Sequence, residues 1–118
     1  MANPNIVNVA TINGKTDVFA LTTTETNLIT ATANTVFKIN SILVSNIDGT
    51  NAADVTIKYN DGSNDRAIAS TISVPADATL EVINKNNGFY LEETEIIKGT
   101  ASANSDLECL ISYEVISD

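Results

Sequence analysis

Apolar and polar residues alternate with a period of two along almost the whole chain, and turn residues break the alternation at short intervals. That period puts successive side chains on opposite faces of a strand, and no stretch keeps helical spacing for three turns. Residues 5–10, with Ile6 on one side and Val7 and Val9 on the other, predict a first strand. Asn13-Gly14 then predicts a two-residue hairpin turn into a second strand over residues 15–22. There Phe19 and Leu21 share one face, Val18 and Ala20 the other. Residues 27–33 predict a Thr-rich strand. The longest strand is expected over residues 36–47, where Phe37, Ile39, Leu43 and Ile47 partly alternate with Lys38, Asn40 and Asn46. Its phase shifts near Ser41-Ile42, where Ile42, Leu43 and Val44 run together, and this predicts a bulge or burial on both faces.

Asp48-Gly49-Thr50-Asn51 reads as a turn, and residues 54–59 place Val55, Ile57 and Tyr59 inward against Asp54, Thr56 and Lys58. A polar loop over residues 60–65 leads to a strand over 66–74, with Ile68, Ser70 and Ile72 in one phase and Pro75 as its stop. Residues 79–84 put Leu80 and Val82 on one side and Glu81 and Ile83 on the other, and Asn86-Asn87-Gly88 turns the chain into 89–91. Residues 95–100 and 107–116 close the sequence. The last strand alternates most strictly: Leu107, Cys109, Ile111, Tyr113 and Val115 against Glu108, Leu110, Ser112, Glu114 and Ile116. About eight to ten short strands, with no linker, composition shift or fixed-period repeat, predict one all-β domain over residues 1–118. The expected architecture is an antiparallel β-sandwich, jelly-roll or Ig-like.

Composition agrees: Ile, Val and Thr supply 38 of the 118 residues, and β-branched side chains suit a pleated surface. It also removes several chemistries. There is no His, hence no imidazole base, His metal ligand or Ser-His-Asp triad. A single Cys excludes an internal disulfide and Cys-rich metal centres. Six cations, Lys15, Lys38, Lys58, Lys85, Lys98 and Arg66, face fifteen acidic residues for a net charge of −9. A phosphate backbone would be repelled, so no nucleic-acid partner is expected. The start, Met1-Ala2-Asn3-Pro4-Asn5, lacks the cationic and apolar regions of a signal peptide, and no apolar run could cross a membrane.

Candidate chemistry is sparse. Asp61, Ser63 and Asp65 concentrate oxygen ligands suited to Ca²⁺, but without the ladder or terminal bidentate Glu of an EF-hand, and a strand-connecting turn accounts for them better. Glu92, Glu93 and Glu95 are the densest charge run. Glu92 and Glu93 would point to opposite faces of a strand, and a solvated loop is the expected reading. Cys109 falls in an inward phase between Leu107 and Ile111, as a buried small hydrophobe rather than a reactive thiol. No Gly-x-Ser-x-Gly, Ser-x-x-Lys, phosphate-binding or dinucleotide motif occurs, so neither an enzyme nor a cofactor is expected.

Several phrases carry a family resemblance. They are residues 38–42 (KINSI), 45–56 (SNIDGTNAADVT), 68–80 (IASTISVPADATL), 89–93 (FYLEE), 101–108 (ASANSDLE) and 111–114 (ISYE). Together they resemble small virion structural proteins of tailed bacteriophages, especially marine phages such as those of cyanobacteria. The resemblance covers about two-thirds of the chain and includes no catalytic motif. It implies a β-sandwich, synthesis in the host cytoplasm and a place in the virion. The expected role is a capsid decoration or cement protein on the head exterior that binds the major capsid protein. Pairing with copies of itself, as a trimer or another cyclic assembly, would cover its strand edges. The alternative is a tail, neck or fibre component that binds a receptor or glycan. An exposed aromatic cluster would favour it, and at least four of Phe19, Phe37, Phe89, Tyr59, Tyr90 and Tyr113 fall in inward phases.

Overall fold

Among the described residues the alternating segments resolve into nine strands: β1 (Thr11–Ala20), β2 (Thr26–Thr30), β3 (Thr35–Asn46), β4 (Ala53–Asn60), β5 (Asp65–Val74), β6 (Thr79–Ile83), β7 (Phe89–Leu91), β8 (Ile96–Ala101) and β9 (Leu107–Ser117). A single 3₁₀ turn, Lys85–Asn87, separates β6 from β7. The structure, a computed structural model, describes residues 3–118. Met1 and Ala2, which open the segment read above as lacking a signal peptide, lie outside the described residues.

Pairing is nested. β1 pairs with β9, β2 with β8, β3 with both β6 and β7, and β4 with β5, all antiparallel. Two further pairings, β3 with β9 and β4 with β8, roll this long folded hairpin into two sheets. Their orders are β1-β9-β3-β6, with β7 beside β6 on β3, and β2-β8-β4-β5. A hairpin folded on itself so that first meets last and second meets next-to-last is a jelly roll, with β6 and β7 as one broken strand. The topology thereby selects one of the two sandwich types that alternation left open.

The inner faces meet in one core that includes Ile39, Ile42, Val44, Val55, Ile57, Leu91, Ile97, Leu107, Cys109 and Ile111. Val55, Ile57 and the odd-numbered residues of β9 point where their alternation predicts. Phe37 stacks on Tyr113 with ring centroids 5.3 Å apart.

Four expectations are corrected. Residues 5–10 form no strand; Asn8 N–H donates to the Asn5 carbonyl and Val7 N–H to Asn5 Oδ1, which makes a turn. Asn13-Gly14 makes no hairpin, because both residues lie inside β1, opposite Val115 and Glu114 of β9. With no upstream strand to fold back on, the dipeptide stays extended along a ten-residue partner. In β3 the expected bulge is present: Ile39 faces Tyr113 but Ser41 faces Ser112, leaving Asn40 as the extra residue. Beyond it the inward set is Ile42, Val44 and Asn46, so Leu43 turns outward, Ile47 is exposed and Asn46 is buried. In β5, register shifts against β4 and a left-handed Thr71 (φ 50°) bring Ala69 and Val74 inward, and Ile72 faces solvent.

Candidate functional site

The oxygen-rich residues of the β4–β5 loop are directed into the loop itself. Asp61 accepts the backbone N–H groups of Ser63 (3.0 Å) and Asn64 (2.8 Å), and Gly62 takes the left-handed conformation the turn needs (φ 96°). These donors hold the Asp61 carboxyl below the usual carboxylate range. Asp65 accepts from Asn60 Nδ2 (2.7 Å) and pairs with Lys98 Nζ (3.1 Å), which lower its pKa in that order. The Ser63 hydroxyl makes no hydrogen bond among the described residues. Asp48 closes the β3–β4 loop in the same manner, accepting from Thr50 and Asn51 N–H.

The three glutamates of the β7–β8 turn go to three different partners. Glu92 accepts from Asn3 Nδ2 (2.7 Å), Glu93 from the Asn34 N–H, and Glu95 from both the Tyr59 hydroxyl and the Glu92 N–H. Thr94 and Asn34 are both left-handed (φ 69° and 60°), so two tight turns lock together at one end of the sandwich. The run is the expected loop, with Glu92 exposed, but Glu93 and Glu95 are half-buried and hydrogen-bonded, so the loop also clamps the rim.

Cys109 is fully buried, and burial pushes its thiol up to about 12. Tyr59 and Tyr113 are also raised above the ordinary phenol range, first by burial and then by hydrogen bonds to Glu95 and Asp17. The folded state therefore keeps protons that the unfolded chain releases at high pH. Stability is fully present below pH 9 and falls as pH rises toward 12, by about 1.4 kcal/mol per pH unit from Cys109 alone. Urea unfolding at pH 7, 9 and 10.5 should show that decline, and Cys109→Ala should flatten it by one proton's worth. An unchanged pH slope in the variant would contradict a shielded thiol.

What remains open to other molecules is surface. Val36 and Ile116 face away from the core, yet each is about 95% buried, with relative exposures of 4% and 5%. Residues 3–10 account for this at Val36: Asn3 is tied to Glu92 and Glu93, Pro4 is buried, and Asn3, Pro4 and Ile6 line a cleft of about 340 Å³ with Val36, Tyr90 and Glu92. The segment thus straps one end of the β1-containing sheet. A second, more open cleft of about 420 Å³ lies where β4 and β5 of one sheet approach β6 and β7 of the other, lined by Tyr59, Ile68, Ile83, Phe89 and Tyr90. Tyr59 meets Phe89 edge-on at 5.7 Å, and Tyr90, exposed at the rim, has Lys38 Nζ over its ring at 5.3 Å. Sequence reading missed both clefts, since strap docking and sheet edges meeting leave no mark on local periodicity.

No protein-family model and no curated protein matches the chain. Solved structures that share its fold include two of different kinds. One is from the disulfide-linked pili of Bacillus endospore appendages, with 12% identity, TM-score 0.54, and 92% of this chain and 88% of that chain covered. The other is from the acid-stable capsid of Helicobacter pylori bacteriophage KHP30, with 6% identity, TM-score 0.53, and 92% and 89% covered. The fold is therefore one found among phage capsid and pilus structures.

Proposed function

We propose that this chain is a non-enzymatic structural protein of a bacteriophage particle, and within it a decoration protein on the head exterior that reinforces contacts between major capsid subunits. The observation that carries this reading is a jelly roll shared over about nine-tenths of both chains with a phage capsid structure. The virion-protein phrases at residues 45–56 and 68–80 point the same way. Both stretches are spent on strands and turns, as a structural role asks. The pilus likeness supports an assembly subunit too, but the single Cys of this sequence is buried, so linkage by disulfides has no counterpart here. A net charge of −9 disfavours a lining against packaged DNA. Outside, exposed Ile6, Val7 and Tyr90 offer apolar contacts, and weak individual contacts suffice when many copies act across one lattice.

A second reading, a tail, neck or fibre component that grips a receptor or glycan, is favoured by the Tyr59–Phe89–Tyr90 cleft. One experiment separates them. Particles made without the protein should assemble but rupture at lower temperature, and electron cryo-microscopy should find many copies on the head exterior. A few copies confined to tail, neck or fibres would overturn the decoration reading in favour of the second; absence from purified particles would overturn both.

A further inference from the structure

Among the described residues the two sheets leave four open edges, namely β1, β2, β5 and the edge that β6 and β7 share, and the last three are blunted. β2 and β6 are five residues long, β7 is three, and β5 is broken by register shifts and a left-handed Thr71. β1 differs: ten residues, ten consecutive partners on β9 and no register shift. Leu21 N–H donates to the Leu107 carbonyl (2.9 Å), which fixes the phase of that ladder. Odd-numbered residues of β1 turn their backbone groups to β9. The N–H and C=O groups of Ile12, Gly14, Thr16, Val18 and Ala20 point away from the sheet, where no strand pairs with them among the described residues.

We propose that β1 is a self-recognition edge, on which two copies of the chain pair antiparallel about a two-fold axis through Thr16. The backbone allows only registers that put even-numbered residues opposite one another. Of these, two preserve the greatest overlap. A two-fold at Lys15 sets Lys15 against Lys15. A two-fold at Thr16 sets Lys15 against Asp17 twice, with Gly14 opposite Val18 and Ile12 opposite Ala20. Opposite residues share a face, so each Lys–Asp pair lies on one side of the joined sheet. Lys15 has no ion pair among the described residues. Asp17 accepts the Tyr113 hydroxyl through Oδ2 (2.6 Å), leaving Oδ1 for the incoming ammonium. Charges on an edge strand normally repel added strands. Here they oppose an arbitrary strand, or this one in the wrong register, and complement the strand's own antiparallel copy. The contact is isologous and closes at two. It goes beyond the virion reading and does not rest on it.

The test uses the full chain in solution. Sedimentation equilibrium should give about 25 kDa, twice the 12.5 kDa chain, at micromolar to millimolar concentration. Lys15→Asp should weaken the dimer by about tenfold or more, and adding Asp17→Lys should restore it, with circular dichroism unchanged. Thr16→Cys should oxidise to a covalent dimer, since opposed residues of a hydrogen-bonded pair lie about 5.5 Å apart at Cα. Val18→Cys should not, because its own copy would lie about 13 Å along the strand. A monomer or trimer at all concentrations, no rescue by the double charge swap, or equal cross-linking from both cysteines would overturn the proposal. A dimer of purified protein that never enters a particle would leave it standing while removing the virion reading.

Discussion

Asn46→Ala should lower the unfolding free energy by about 3 kcal/mol and the melting temperature by roughly 10–20 °C. Asn46 is 3% exposed, and its amide joins three segments: Nδ2 donates to the Asn51 and Val74 carbonyls, each at 2.9 Å, and Oδ1 accepts the Asp48 N–H at 2.9 Å. Alanine leaves two carbonyls and one N–H without this partner, at about 1 kcal/mol each, and the Val74 carbonyl is the one of the three that is fully buried. The bonds hold the β3–β4 loop against the end of β5, so the loss is felt beyond one side chain. Asn46→Asp should be worse at neutral pH, because a carboxylate cannot donate to either carbonyl, and should recover partly in acid as it gains a proton. Chemical denaturation at pH 7 and pH 4 checks both, and an alanine variant within 0.5 kcal/mol of the parent would refute the role.

Gly88→Ala should cost about 2–3 kcal/mol. A Cβ there would stand 2.5 Å from the Ile39 carbonyl oxygen and 3.0 Å from Lys38 Nζ. The lysine can swing away, but the carbonyl cannot: Ile39 is held between Phe89 of β7 and Tyr113 of β9. The strain falls on β7, only three residues long, and should loosen the Tyr59–Phe89 contact. Gly14→Ala is the control. No atom lies within 4 Å of its Cβ position, so the change should be neutral or stabilise by about 0.5 kcal/mol. Equal melting temperatures for both variants would show that the close approach at Gly88 costs nothing.

Much of the architecture was legible in the residues themselves. Strict alternation in β4 and β9 identified their buried faces, because a strand with one wet face has to repeat every second residue. The run Ile42-Leu43-Val44 marked a phase shift in β3 but left a bulge and burial on both faces equally open, and it did not give the consequence: one extra residue at Asn40 reverses the phase of all that follow, which carried Asn46 inward and Ile47 outward. Asn13-Gly14 misled for a related reason. Its turn preference is weak beside ten residues of pairing with β9, and β9 lies almost a hundred residues away in the chain. The acidic turns at Asp48 and Asp61 read correctly as turns, since side-chain-to-backbone bonds two and three residues along are local chemistry.

By itself, then, the order of residues determined the all-β sandwich class, most strand positions and the buried Cys109. Each of these depends on side-chain type or on spacing within a few residues. Only the tertiary structure decided that the sandwich is a jelly roll, which edge is left long and regular, that Asn3, Pro4 and Ile6 lie beside Val36, and where Tyr59, Phe89 and Tyr90 meet. All of these rest on contacts between segments far apart in the chain, and a pattern of period two is silent about which strand lies beside which.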